Sequence, residues 1–452
     1  MADGSPLTLD RLRQRVAAGD VDTVIVAFTD LQGRLQGERV HAARFLDDVL
    51  AHGTRAGAYL LAVDVEMATG DGGGSPSWGA NYGDVVLRPD LDTLRAASWQ
   101  PATALVLCDV HWPDGTAVTQ SPRQVLRAQA RRAADHGLRA LAATELEFLV
   151  FRDTYEQAWD AGYRGLTPAG RYNGDHSVLG AGQVEPLLRD LRAATAAAGL
   201  RVESVTGERN LGQHEIAFQQ DDVVAAADHH AVYRTAAKEI AAAHGASLTF
   251  MARFDEREGN ACHLRLALRS PDGAPSFADG PSGYPPALRS FIAGVLGTMR
   301  EFTLLYAPNV NSYKRFAGGG SAPTAVTWGE DNRTCALRVV GNGTGLRLEN
   351  RVPGGDVNPY LALAAMLAGG LHGVESDLPL EPAYRGDART ADRTRLPATL
   401  AEAREEFALS QIARLACGDE VVDHYVRAAD VELAAFGRAV TDWERRRGFE
   451  RL

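Results

Sequence analysis

Only four cysteines occur in 452 residues, Cys108, Cys262, Cys335 and Cys417, far apart and with no CxxC pair. Neither a thiolate zinc centre nor a disulfide framework is signalled, and packed thiols are expected. Long apolar runs are also lacking. No segment reaches ~18 uninterrupted apolar residues, so no membrane partner is expected. The opening MADGSPLTLDRLRQ has neither the apolar stretch of a secretory signal nor an arginine-rich amphipathic pattern, and the expectation is a cytoplasmic protein. No basic tail or basic run of useful length appears either, and the formal net charge is −11. Such a chain does not neutralise a phosphate backbone, which excludes nucleic acid as a partner. No fixed-period repeat is visible. The triple glycine of FAGGGSAP lacks a following Lys-Ser/Thr, which argues against a P-loop kinase.

With 45% hydrophobic residues the chain can bury a large catalytic domain and a smaller companion. A short helix capped by Thr8, the strand TVIVAFTD, the turn LQGR, a helix near 43–50, the glycine-rich DGGGSPSWG and the strand-like DVVLRPDLDTL form a small α+β region. TALVLCDVHWP then leads into SPRQVLRAQARRAADHG, with Ser121 as N-cap, Pro122 at the first helical position and Gly137 closing the helix. The reading is an α+β protein with domains 1–114 and 115–452. Beyond the boundary, strands and helices interleave. SLTFMARF and NACHLRLAL read as adjacent strands, PALRSFIAGVLGTMREFTLLYA as one helix, CALRVV and LRLENRV as two more strands, and three helices finish the chain.

The chemistry concentrates in a few strands. In TELEFLVF, residues 144–151, alternation puts Glu145 and Glu147 on one face and Leu146 and Phe148 on the other. Their surroundings are apolar, where paired negative charges are unfavourable unless something positive lies between them. In NACHLRLAL, His263 shares a face with Arg265. In LRLENRV, Arg347, Glu349 and Arg351 line one face. Glu208 and Glu215 in GERNLGQHEI flank a glycine-containing loop and can converge. Any one of these has a structural explanation, and a structural ion-pair network competes for the whole set. Together, five carboxylates and one imidazole suit hard divalent cations such as Mg²⁺ or Mn²⁺. Cations flanked by arginines are the usual equipment for holding polyphosphate during phosphoryl transfer.

The motifs FTDLQGR, DVVLRPDLDTL, TELEF, GERNLGQHE, GNACH, NSYKRF, APTAVTWGEDNRTCALRV, LRLENR and NPYLALAAMLAG resemble those of glutamine synthetases over nearly the whole chain. The resemblance implies a β-grasp-like N-terminal domain on a catalytic domain built round a curved antiparallel sheet. It also implies homo-oligomeric stacked rings, a dodecamer, with sites between subunits. Carried over by motif, Glu147, Glu208 and Glu215 would hold one metal, and Glu145, His263 and Glu349 a second. Arg315, Arg351 and Gly259 would bind glutamate, and Arg333, Arg338 and Arg347 would face the ATP phosphates and the acyl phosphate. The implied reaction phosphorylates the side-chain carboxylate of glutamate and lets an amine attack γ-glutamyl phosphate.

Three departures narrow this. The flap of glutamine synthetases carries a glutamate that helps deprotonate ammonium, and here Ser321 matches it, which favours the branch making γ-glutamyl amides from organic amines. The wording YLLAVDVEM, FDEREGNACH and LRLENRVPGGDVNPY resembles actinobacterial ligases of the γ-glutamylethanolamide synthetase type. The nucleotide-side HxHxS pattern is HLRLA, so Arg265 is expected to meet a phosphate, with Ala267 following. LPLEPAYRGDART lacks the adenylylated-tyrosine context. Asp64 and Glu66 in LLAVDVEM are expected to border a neighbour's amine pocket, against a plain reading as a solvated strand face. Glutamine synthesis from ammonium and a non-catalytic ring protein are the competing functions.

Overall fold

The structure is a computed structural model describing residues 7–68, 83–276, 283–317 and 320–452. The glycine-rich DGGGSPSWG, and Gly318 and Gly319 of the flap, lie outside the described residues.

The β-branched and aromatic run TVIVAFT forms β1, Thr23–Thr29, which hairpins through the LQGR turn into β2, Leu35–His41. Asp30 sets that turn, since its Oδ1 accepts from the backbone of Gln32 and Arg34 at 3.0 and 2.9 Å. With β3 (Thr54–Gly57), β4 (Asp84–Pro89), β5 (Arg95–Ala96) and β6 (Thr103–His111) these strands make a six-stranded sheet. Its order is β2-β1-β6-β4-β3, with β5 off β6 and with β1 and β6 parallel.

A nine-stranded sheet follows, built from β7 (Arg139–Phe151), β8 (Val202–Gly207), β9 (Gln213–Phe218), β10 (Asp221–Asp222), β11 (Ser247–Thr249), β12 (Cys262–Arg269), β13 (Trp328–Glu330), β14 (Leu337–Val340) and β15 (Arg347–Asn350). Its order is β13-β14-β15-β12-β7-β9-β8, with β10 and β11 also on β7. β7 is buried along almost its whole length and is the hub. All its partners are antiparallel, and only β13 with β14 is parallel. The architecture is α+β, as expected.

Behind the second sheet, the helix Pro359–Glu375 is buried on nearly every side, as befits the uniformly apolar YLALAAMLAGGLHG. It packs on the helix Pro286–Gly297 through small residues. A Cβ at Gly294 would stand 2.2 Å from the Gly369 carbonyl oxygen, so any larger residue forces the helices apart.

Several local readings need correction. β11 does not pair with β12; both lie along β7, at Leu149–Phe151 and Arg139–Leu146 respectively. The helix beginning at Pro286 ends at Gly297, where Thr298 Oγ1 bonds back to the Gly294 carbonyl, and a separate turn forms at Thr303–Tyr306. Five helices follow β15 rather than three, because Ser410 caps a new helix and Gly418, at φ +88°, breaks another. Ser121 stands at the N-cap but makes no side-chain cap bond. Asp64 and Glu66 lie in a turn, not a strand. Among the described residues no helix is long and apolar enough to cross a membrane.

The two sheets are pinned by polar contacts. Arg123, 3% exposed, binds Asp228 twice at 2.9 Å, Asp109 at 2.6 Å and Asp90 at 2.7 Å. Asn358 donates to the carbonyls of Asp30 and Leu31 at 3.2 and 2.9 Å.

Candidate active site

Register assembles the site. On β7 and β12, Glu145 pairs with His263, and on β7 and β9, Glu147 pairs with Glu215. Glu349 on β15 pairs with Arg265 on one side and Arg338 on the other. Directly opposed residues in antiparallel strands hold their Cβ atoms about 4.5–5.5 Å apart. The acids that strand parity placed on one face therefore meet. Donor atoms of Glu145, His263 and Glu349 lie within 4.8 Å of one another, as do those of Glu147, Glu208 and Glu215. These are the two triplets expected from the motifs.

Both triplets line a cavity of ≈ 760 Å³, with Gly259, Arg265, Arg315, Ser321, Arg333, Arg338, Arg347 and Arg351 on its walls. Every expected site residue lines it except Asp64 and Glu66. Asp64 instead accepts from the backbone of Glu66 and Ala68, both at 2.9 Å, and borders a separate small cavity beside Glu432.

The electrostatics match a cation-binding centre. Burial, then repulsion from Glu147 and Asp175, pushes Glu208 up to about 8. Burial, then Glu147, Glu208 and Glu349, pushes Glu215 up to about 8. Burial depresses His263 to about 3, keeping the imidazole neutral and able to ligate. Glu349 behaves differently. Burial would raise it, but His263, Arg351 and Arg338 together hold it at about 2, so it stays ionised. A group of acids that repel one another across a buried sheet, joined by one neutral imidazole, fits two hard divalent cations.

Supporting contacts fix the donors. Glu147 Oε2 accepts from the Ala261 amide at 2.7 Å and from Gln213 Nε2 at 3.1 Å. His263 Nδ1 lies 3.1 Å from Glu145 Oε2, and Arg265 contacts the other Glu145 oxygen while reaching Glu203 at 3.0 Å. The guanidinium of Arg265 thus sits against a second-triplet carboxylate. Arg315 donates to the carbonyls of Val352 and Arg351 at 2.6 and 3.2 Å, which locks it at the cavity wall. The Nε atoms of Arg265 and Arg347 are buried without a partner, donors that an anionic ligand can meet.

Sequence reasoning missed several residues on the same walls, among them Asp175, Arg209, Gln213, Glu258 and Arg389. Arg209 and Gln213 lay within the GERNLGQHE motif and Glu258 within FDEREGNACH, each within two residues of one that was singled out. Their significance depends on where loops fold back, which strand parity does not report.

Residues 119–448 match the glutamine synthetase catalytic domain. The chain is 58% identical over 99% of its length to γ-glutamylethanolamide synthetase GlnA4 of Streptomyces coelicolor, covering 96% of that protein. It is 33% identical to a glutamate–isopropylamine ligase from a Pseudomonas species, covering 98% of both. A solved GmaS–ADP complex superposes with a TM-score of 0.85 at 25% identity over 100% of both chains. Sequence, sheet register and paired donor triplets agree, and this chain belongs to the glutamine synthetase family.

Proposed function

We propose that the protein is an ATP-dependent ligase that joins the γ-carboxylate of glutamate to a small organic amine, ethanolamine-like or a short diamine, through γ-glutamyl phosphate. The observation that carries this reading is the convergence of two donor triplets and an arginine cluster on one cavity. The choice of amine over ammonium rests on Ser321 at the flap and on the likeness to amine-using relatives.

Glu147, Glu208 and Glu215 would hold one divalent cation, and Glu145, His263 and Glu349 the other, with Mg²⁺ or Mn²⁺ suiting the oxygen-rich set. When bound, such cations offset polyphosphate charge and stabilise a transferring phosphoryl group. Arg315, Arg351 and the backbone at Gly259 orient the glutamate. A Cβ at Gly259 would meet the Ala252 carbonyl oxygen at 2.2 Å, so only glycine permits this close approach. Arg333, Arg338, Arg347 and Arg265 face the phosphates. Arg333 and Arg315 act at the reacting groups, the first on the acyl phosphate and the second on the carboxylate that becomes phosphorylated.

The same reading divides the chain into 1–114 and 115–452, assembles it as a ring of stacked subunits, a dodecamer, and places it in the cytoplasm. Asp64 and Glu66 then serve the neighbour's amine pocket, consistent with their distance from the cavity of their own chain. Incubation with ATP, glutamate and ethanolamine tests the activity. Mass spectrometry should show γ-glutamylethanolamide and ADP in equal amounts, and ATP hydrolysis without amide product would contradict the proposal.

A further inference from the structure

The flap residue Ser321 is held by a carboxylate on the opposite wall. Glu258 Oε2 accepts from the Ser321 amide at 3.2 Å, and Ser321 Oγ donates to Glu258 Oε1 at 3.1 Å. We propose that Glu258 is the anion that binds the amine's ammonium head and takes its proton, replacing from the facing loop the carboxylate that the flap lacks. This rests on the ligase reading above.

The position of Glu258 is built. Asn210 Nδ2 donates to the Glu258 carbonyl at 2.8 Å and to Asp255 Oδ1 at 3.1 Å. Arg253 straps the loop through the carbonyls of Asp255, Glu256 and Lys314 at 3.1, 2.7 and 3.0 Å. The next residue, Gly259, is packed against Ala252 and Arg315. The carboxylate therefore projects from a rigid segment into the cavity it lines.

Its charge also suits a cationic substrate. The nearby arginines answer first to other acids: Arg209 reaches Ser321 Oγ at 2.8 Å but pairs with Asp175 at 3.2 Å, and Arg389 feels the charge of Glu258 only after that of Asp387, both of whose oxygens it binds at 2.9 and 2.8 Å. A carboxylate has about four acceptor sites, and the two bonds from Ser321 leave capacity for an ammonium group. An aliphatic amine of pKa about 10.4 is ~99.9% protonated at pH 7.4, so the site must both bind the cation and unmask its lone pair.

In the proposed step RNH₃⁺ gives one proton to the Glu258 carboxylate. The freed lone pair forms the C–N bond at the carbonyl carbon of γ-glutamyl phosphate. The C–O bond to phosphate breaks with its electrons on oxygen, and a second nitrogen proton leaves with phosphate as HPO₄²⁻. The amide, hydrogenphosphate and a neutral Glu258 result, with charge conserved.

The test compares two nucleophiles in the full-length enzyme with ATP, glutamate and Mg²⁺. Ethanolamine is cationic at neutral pH, whereas hydroxylamine is uncharged and needs neither a cation site nor a base. Glu258→Gln keeps size and one acceptor for Ser321, and its thermal unfolding should match wild type. Its kcat/KM for ethanolamine should fall about 10²-fold or more, the range of a lost general base, while γ-glutamyl hydroxamate formation stays within a few-fold of wild type. Glu258→Asp should recover part of the ethanolamine activity. Undiminished ethanolamine turnover in Glu258→Gln, or equal loss with both nucleophiles in a normally folded variant, would overturn the assignment. A wild-type enzyme that makes neither product would instead overturn the ligase reading, and this inference with it.

Discussion

Glu147 on β7 and Glu215 on β9 are paired directly across the sheet, two acids facing each other in the wall of a buried cavity. Opposed like charges destabilise a sheet, and the proposed cation site, in which these two acids are joined by Glu208, accounts for the pairing. Glu147→Ala and Glu349→Ala each remove one of three protein ligands from a triplet. Both variants should fold and assemble as wild type does, yet lose ligase activity at limiting Mg²⁺. Near-normal turnover by either purified variant in a steady-state assay would contradict the two-metal assignment.

The same acids set a pH dependence. Glu208 and Glu215 titrate at about 8 in the metal-free fold, above the ordinary 4.5 of glutamate. For a carboxylate raised on folding, the unfolded chain loses its proton first. Metal-free stability is therefore highest below the unfolded value and falls as pH rises toward about 8. A divalent cation displaces these protons and relieves the repulsion. The rise in Tm on adding Mg²⁺ should be larger at pH 8 than at pH 6, corresponding to a difference of a few kcal/mol at most. Differential scanning fluorimetry with and without Mg²⁺ measures it, and an equal rise at both pH values would count against the assignment.

Stability rests elsewhere on the buried Arg123. Its partners Asp90 and Asp109 belong to the first sheet's strands and their edge, while Asp228 sits on the helix Val223–Ala243 behind the second. Arg123→Ala leaves Asp90 and Asp109 with Arg127 alone and Asp228 with only the Tyr360 hydroxyl, so the loss should fall toward the lower end of the about 3–5 kcal/mol that breaking a buried network from one side costs. Chemical denaturation should show that loss. A change below about 1 kcal/mol would mean that the network contributes little.

Much of the site was legible because strand parity is a strict rule. Glu145 with Glu147, and Arg347 with Glu349 and Arg351, could be placed on common faces from spacing alone. Which strands adjoin was not legible. β11 and β12 share β7 rather than each other because β7 is long enough to pair with both, a long-range fact outside any local window. Arg265 lines the cavity as expected of a phosphate-facing residue, but its contacts with Glu145 and Glu203 were not legible, since they come from its register opposite Ala143 and Glu349 beside the second triplet. Glu258 escaped notice for a different reason. It stands in a loop whose course is set by Asn210 and Arg253, bonds that no periodicity reveals.

Subunit sharing can be tested without knowing the assembly's size. Asp64 and Glu66 lie outside the cavity of their own chain. Mixed assemblies of Glu66→Ala and Glu147→Ala subunits should recover part of the activity that each variant lacks alone. No recovery in assemblies verified to be mixed would argue that each chain completes its own site.

The central claim is the preference for an organic amine over ammonium, and the direct measurement is kcat/KM for ammonium, ethanolamine, putrescine and other small amines, read as phosphate release with saturating glutamate and ATP. The account predicts that ethanolamine or a short diamine exceeds ammonium, and that Ser321→Glu, which returns a carboxylate to the flap beside Glu258, narrows the preference toward ammonium. More efficient synthesis of glutamine than of any substituted amide by the wild-type protein would contradict it.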